Sequence, residues 1–121
     1  MSKRILVVED QEDNRKIMRD LLTASGFELI EAETGEDGVA AASREKPDLI
    51  LMDIQLPGLD GYEATRRIRS DPELKQTPII AVTSYALSGD DKKAFAAGCD
   101  GYVTKPFSPR ELLKKIREYL N

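Results

Sequence analysis

Short apolar runs recur along the chain, and longer segments with mixed apolar and polar residues separate them. The runs at residues 5–8, 49–52 and 79–82 are continuous, and runs of this kind predict strands buried on both faces of a parallel sheet. We predict strands at 4–9, 28–32, 49–53, 79–83 and 101–104, and helices at 14–25, at 34–45, from 60, from 88 to 98, and from 109 onward. This alternation predicts an α/β fold, with helices on both faces of one five-stranded parallel sheet and right-handed crossovers.

The helical segments carry their own start and core signals. Ile17, Leu21 and Leu22 form an apolar stripe that we expect to face the core in the first helix. Thr34 and Asp60 precede the second and third helices and are typical N-cap residues. These signals place the polar ends of the strands between well-defined helices.

Reactive or charged side chains stand where four of the predicted strands end. Glu9 and Asp10 follow the first strand, and Asp53 ends the third. Thr83 ends the fourth strand, and Lys105 follows the fifth. Because ligand sites of open α/β sheets lie outside the carboxyl ends of the strands, we expect these side chains to share one acidic pocket.

The chemistry of that pocket follows from its charges. Carboxylates brought close together repel each other, and a divalent cation removes the repulsion. Oxygen ligands without histidine or cysteine favour Mg²⁺. Lys105 adds a fixed positive charge and Thr83 adds a hydroxyl donor, so the pocket is suited to hold a phosphoryl group on Asp53.

Composition narrows the range of functions. The chain has 121 residues, enough for one domain, with 40% hydrophobic and 33% charged residues. It has no apolar run of the roughly 18 residues needed for a membrane span, no signal-peptide pattern, and Cys99 as its only cysteine. We therefore expect a cytoplasmic protein with a buried, inert thiol. The net charge of −4 argues against direct nucleic-acid binding, and the absence of histidine excludes imidazole catalysis and a phosphohistidine on this chain.

Four motifs in order give the chain a specific resemblance. They are Val7-Val8-Glu9-Asp10, Leu51-Met52-Asp53-Ile54-Gln55-Leu56-Pro57-Gly58-Leu59-Asp60-Gly61, Ala81-Val82-Thr83-Ser84 and Tyr102-Val103-Thr104-Lys105-Pro106-Phe107. Along its whole length the chain resembles response regulator receiver domains, and among them the single-domain cell-division regulators of the DivK type. The resemblance implies a CheY-like, doubly wound sheet with strand order 2-1-3-4-5, spanning 1–121 without an output domain.

The resemblance also implies a role for each site residue. Asp53 would accept a phosphoryl group from a phosphohistidine donor with Mg²⁺ as cofactor, and Lys105 would be the phosphate counter-ion, joined to Pro106 by a cis peptide bond. The implied magnesium ligands are Asp10, Asp53, Glu9 through water, and the main-chain carbonyl of Gln55. Thr83 and Tyr102 resemble the switch pair. Gln55 and Tyr85 occupy positions that tune the phosphate lifetime.

Two surfaces are candidates for partners. A histidine kinase or histidine phosphotransfer protein would dock beside the pocket, on a surface made of Gln11, Asn14, Arg15, Met18, Pro106 and Phe107. A downstream protein would bind the face formed by the fourth helix, the fifth strand and the fifth helix, where Tyr102 would report the phosphorylated state. In this interpretation the protein is a signalling phosphoacceptor and not an enzyme acting on other molecules.

Two alternatives remain at this stage. A receiver domain excised from a hybrid histidine kinase would have the same motifs, although the start at Met1 and the end at Asn121 favour a stand-alone protein. A small phosphatase or mutase with an aspartyl-phosphate intermediate would also need a reactive aspartate and Mg²⁺. The chain has no cap domain for a substrate, which argues against that enzyme.

Overall fold

The strands and helices alternate as the apolar pattern predicts. The computed structural model describes residues 2–84 and 90–120. Its strands are β1 Arg4–Val8, β2 Glu28–Ala32, β3 Leu49–Asp53, β4 Ile79–Thr83 and β5 Gly101–Thr104. Its helices are α1 Glu12–Ala24, α2 Gly35–Glu45, α3 Gly61–Arg69, α4 Asp90–Ala97 and α5 Pro109–Leu120, with a 3-10 turn at Pro72–Leu74.

The five strands form one all-parallel sheet in the order β2-β1-β3-β4-β5, which confirms the predicted fold. β3 and β4 are buried along their whole length, as continuous apolar runs in the middle of a parallel sheet should be. β1 lies between β2 and β3, with Val7 opposite Glu31 on one side and Leu51 on the other. This order places the ends of β1 and β3 side by side.

The sheet separates two apolar layers because successive side chains of a strand point to opposite faces. Leu6, Val8, Ile50 and Met52 belong to the layer that contains residues of α2, α3 and α4. The other layer contains Ile5, Val7, Leu49 and Leu51 together with residues of α1 and α5. Both helical layers thus hold the strands in place beneath the site.

The predicted core stripe of α1 is partly wrong. Ile17 is 56% exposed, whereas the buried residues of the helix are Arg15, Met18 and Leu22. The face of α1 that packs on the sheet is therefore rotated by about one residue from the predicted stripe, and it includes the charged residue Arg15. This rotation leaves Ile17 on the surface beside the candidate site.

Capping side chains set the starts of the helices. The hydroxyl of Thr34 accepts from the backbone N–H of Asp37 at 3.0 Å, and the carboxylate of Asp60 accepts from that of Glu63 at 2.8 Å, so both predicted caps are confirmed. α3 starts at Gly61, where a Cβ atom would lie only 2.3 Å from the carbonyl oxygen of Asp53. A glycine thus allows α3 to begin directly against the end of β3.

No helix within residues 2–84 and 90–120 is long and apolar enough to cross a membrane.

Candidate functional site

Three carboxylates meet at the carboxyl edge of the sheet. Glu9 and Asp10 follow β1, Asp53 is the last residue of β3, and each offers an oxygen within 4.8 Å of the others. Glu9 and Asp53 are 1% and 4% exposed, so water screens their charges poorly. Because the two strands are hydrogen-bonded neighbours, the sheet itself brings these residues together.

Lys105 supplies the positive charge of the cluster. Its Nζ donates to Glu9 Oε1 at 2.6 Å and lies 3.6 Å from Asp53 Oδ2. The peptide bond between Lys105 and Pro106 is cis, as the resemblance implies. Three carboxylates against one ammonium leave an excess of negative charge, which suits a divalent cation.

Backbone donors orient two of the carboxylates. The N–H of Gln55 donates to Asp53 Oδ1 at 2.9 Å, and the N–H of Gln11 donates to Glu9 Oε2 at 3.2 Å. Asp10 is more exposed than either. Burial, followed by the hydrogen bond and the negative charge of Glu9, raises the pKa of Asp10 above its ordinary value. The bare site thus disfavours ionisation of its third carboxyl.

The side chain of Gln55 reaches the end of β4. Its Oε1 accepts from the backbone N–H of Ser84 at 2.9 Å and from the Ser84 hydroxyl at 2.5 Å, and the Thr83 hydroxyl lies 3.5 Å away. The sequence did not indicate the role of Ser84, because the contact joins residues 29 positions apart. Tyr85, the other predicted lifetime residue, lies outside the described part of the chain.

Thr83 and Tyr102 share one face of the sheet. Thr83 is 1% exposed at the end of β4. Tyr102 of β5 pairs with Ala81, two residues before Thr83, and packs partly buried against the α3 and α4 layer. Residues two apart on a strand point to the same side, so the two predicted switch residues are diagonal neighbours.

The structure brings together only some of the residues of the predicted donor-docking surface. Asn14, Pro106 and Phe107 line a depression together with Ile17, Met18, Ser84 and Lys105. Met18 is only 2% exposed, so it forms the floor and belongs to the core. Gln11 is exposed but is not among the residues that line the depression.

Placing Arg15 on this surface is wrong. Arg15 is 6% exposed and lies on the opposite side of the acidic cluster, where it donates to the carbonyl oxygen of Glu9. The long side chain is turned inward because carboxylates of β2 and the following loop surround its guanidinium. Those partners are distant in sequence, so only the acidic residues at the end of β2 could have signalled the contact.

The sequence profile of the response regulator receiver domain matches residues 5–117. The chain belongs to the response regulator receiver domain family. It is 43% identical over 120 residues to the polar-differentiation response regulator DivK of Brucella ovis, covering 99% of this chain and 98% of the relative. The predicted family and its resemblance to DivK-type regulators are therefore confirmed.

Solved structures agree with this assignment. The receiver domain of the sensor histidine kinase PA1611 from Pseudomonas aeruginosa superposes with a TM-score of 0.93 at 38% identity, covering 99% of this chain and 98% of that one. CheY4 of Vibrio cholerae gives 0.94 at 28% identity, with 99% and 100% covered. The PA1611 receiver domain holds a magnesium ion in its active-site cleft. From its family and its relatives, the present chain acts in two-component signalling. Its general classes of partner are phosphodonor proteins and downstream targets.

Proposed function

We propose that this receiver domain is a cytoplasmic phosphorylation switch in which Asp53 accepts a phosphoryl group from a phosphohistidine. One carboxylate oxygen of Asp53 would attack the phosphorus, the phosphorus–nitrogen bond would break, and the imidazole would leave with the electron pair. The observation that carries the proposal is the position of Lys105, whose ammonium touches Glu9 and faces Asp53. That ammonium can neutralise charge on the transferred phosphoryl oxygens without moving far.

The carboxylates fit a magnesium ion. Asp10 and Asp53 would be direct ligands, Glu9 would act mainly through metal-bound water, and Gln55 would contribute its main-chain carbonyl. All are oxygen donors, and the three carboxylates already lie within one ion's reach of each other. When bound, the ion would offset the charge of the carboxylates and the phosphoryl group and so let the two anions approach.

The switch would run from Thr83 to Tyr102. A phosphoryl oxygen on Asp53 would draw the Thr83 hydroxyl toward it, and the aromatic ring of Tyr102 would follow inward on the same face of the sheet. Downstream proteins would sense this change on the surface of α4, β5 and α5. The contact of Gln55 with Ser84 would then have to rearrange, and Gln55 with Tyr85 would set how fast water removes the phosphoryl group.

The phosphodonor would dock over the depression beside Lys105. Asn14, Pro106 and Phe107 line it, Gln11 lies nearby, and the exposed side chain of Ile17 adds apolar surface. A histidine kinase or a histidine phosphotransfer protein could lay a helix here with its phosphohistidine above Asp53. The family assignment and the DivK relatives support this function over a phosphatase.

Intact-protein mass spectrometry tests the phosphoacceptor. The full chain is incubated with Mg²⁺ and phosphoramidate, a small donor that has the same phosphorus–nitrogen bond. We expect one added phosphoryl group, which disappears in Asp53→Asn and in the presence of a chelator. Asp13→Asn is the matched control, because it removes the same charge from an exposed position of α1. Equal incorporation in Asp53→Asn would refute the proposal.

A further inference from the structure

Arg15 is the only basic side chain within the described residues that is buried. One nitrogen, Nη1, donates to the carbonyl oxygen of Glu9 at 2.9 Å, and both groups are buried. This carbonyl belongs to the peptide unit that joins Glu9 to Asp10. A buried guanidinium is costly unless its donors are satisfied, so this contact is a fixed part of the fold.

The other side of the guanidinium is held equally firmly. Nη2 donates to Glu33 at 2.9 Å and also to Glu12, and Nε lies 3.5 Å from Glu31. These partners belong to the loop after β2, to the first turn of α1 and to β2 itself. The planar fork of arginine can hold several acceptors in fixed directions, which a lysine ammonium cannot do.

The pairing of β1 with β2 ends at Glu9. The N–H of Glu9 still donates a hydrogen bond to the carbonyl oxygen of Ala32 at 3.0 Å, one residue beyond β1. The carbonyl of Glu9 instead receives Arg15, so the next peptide unit is oriented by a side chain and not by the sheet. That unit determines where the carboxylates of Glu9 and Asp10 point relative to Asp53.

We infer that Arg15 is a positioning residue of the metal and phosphoacceptor site: it fixes the peptide between Glu9 and Asp10 and so preorganises the carboxylates for Mg²⁺. The inference rests on the proposed magnesium site but not on phosphoryl transfer. Outer groups that orient metal ligands typically change metal affinity by about 10–100-fold when they are removed.

The charge of Arg15 and its positioning contacts predict opposite changes in Mg²⁺ affinity when Arg15 is replaced. A cation behind the site repels Mg²⁺, so if charge alone mattered, Arg15→Met would bind the ion more tightly and Arg15→Lys would be unchanged. If Arg15 positions the carboxylates, both variants lose the contacts that orient Glu9 and both bind Mg²⁺ more weakly. The two roles are therefore separable in a binding experiment.

Isothermal titration calorimetry of the full chain with MgCl₂ measures the effect. We expect the Kd for Mg²⁺ to rise about 10-fold or more in Arg15→Lys and in Arg15→Met. Leu22→Ala is the matched control, since it removes a fully buried side chain of the same helix. It should lower the urea midpoint but leave the Kd within about twofold of the wild-type value.

An unchanged Kd in Arg15→Lys, or tighter binding in Arg15→Met, would overturn the inference. If neither Arg15 variant folds, Glu33→Gln weakens the outer anchor of the guanidinium and leaves Arg15 in place. That variant should then raise the Kd for Mg²⁺ by about threefold, which is less than the effect expected from replacing Arg15 itself. An unchanged Kd would overturn the inference. Failure of the wild-type chain to take up a phosphoryl group would refute the proposed function and leave this test intact.

Discussion

Asp10→Asn should stabilise the metal-free protein, because it removes one of three mutually repelling carboxylates. Two unit charges 4.8 Å apart repel by about 1 kcal/mol in water and by about 3 kcal/mol at an effective dielectric constant of 20. Asp10 lies close to both Glu9 and Asp53; the charge of Glu9 disfavours its ionisation and Lys105 offsets part of that effect. We expect a net gain in the free energy of unfolding of about 1 kcal/mol.

Thermal unfolding with and without Mg²⁺ makes the prediction sharp. For 121 residues, 1 kcal/mol corresponds to a rise in Tm of about 4 °C in EDTA. In Mg²⁺ at 100 times its Kd, the wild-type protein should gain about 2.7 kcal/mol, or about 10 °C. Asp10→Asn lacks a ligand and should gain much less. The order of the two Tm values should therefore invert when Mg²⁺ replaces EDTA.

The pH dependence of stability should also reflect the repulsion that Asp10 experiences in the metal-free protein. The pKa of Asp10 is raised in the folded protein, so its ionisation costs stability as the pH rises through that pKa. The advantage of Asp10→Asn in EDTA should be full above the raised pKa of Asp10 and shrink as the pH falls toward about 4, the ordinary pKa of Asp. Asp13→Asn removes an equal charge outside the cluster and should change stability by less than about 0.5 kcal/mol. A lower Tm of Asp10→Asn in EDTA, or an undiminished response to Mg²⁺, would refute the reasoning.

Three further substitutions or modifications test parts of the fold around the site. Gly61→Ala should lower the free energy of unfolding by about 3 kcal/mol in urea titrations, because its Cβ would meet the backbone of Asp53. An unchanged urea midpoint would contradict this. Cys99 should react with iodoacetamide at pH 8 at least about 100-fold more slowly in the native than in the unfolded protein. The reason is that burial raises the pKa of its thiol from 9.0 to about 11. Equal rates would show that the thiol is accessible. Arg69→Met should cost about 3 kcal/mol, because its guanidinium donates to the main-chain carbonyls of Gly98, Leu74 and Thr77. An unchanged urea midpoint would refute that role.

Much of the site was predictable because strand ends are visible in the sequence. Asp53 and Thr83 each end an apolar run, which marked them as strand ends. Because the carboxyl ends of parallel strands lie at the same edge of a sheet, both residues were expected at one pocket. The strand order itself came from the family resemblance, since alternation alone does not determine it. The contact of Lys105 with Glu9 was not predicted, since β3 and β4 lie between the strands that these residues follow.

Sequence alone misjudged α1 because its helical pattern is ambiguous. Ile17, Leu21 and Leu22 form a plausible apolar stripe, yet the helix docks on the face of Arg15 and Met18. Burial of Arg15 depends on acceptors contributed by β1 and β2, which no pattern within the helix reveals. The contact between Gln55 and Ser84 was missed for the same reason: tertiary contacts, not local propensity, set those side chains.

The ion pair between Glu9 and Lys105 spans 96 positions of the chain. On a ribosome, synthesis of that interval takes about 5–20 s, and during this time the acidic residues of the amino-terminal strands exist without their cation. Under the proposed function, a chain that lacks Lys105 would have no complete pocket for a phosphoryl group. Under the proposed function, this domain would receive a signal only after β5 has been made and docked, because Lys105 follows that strand.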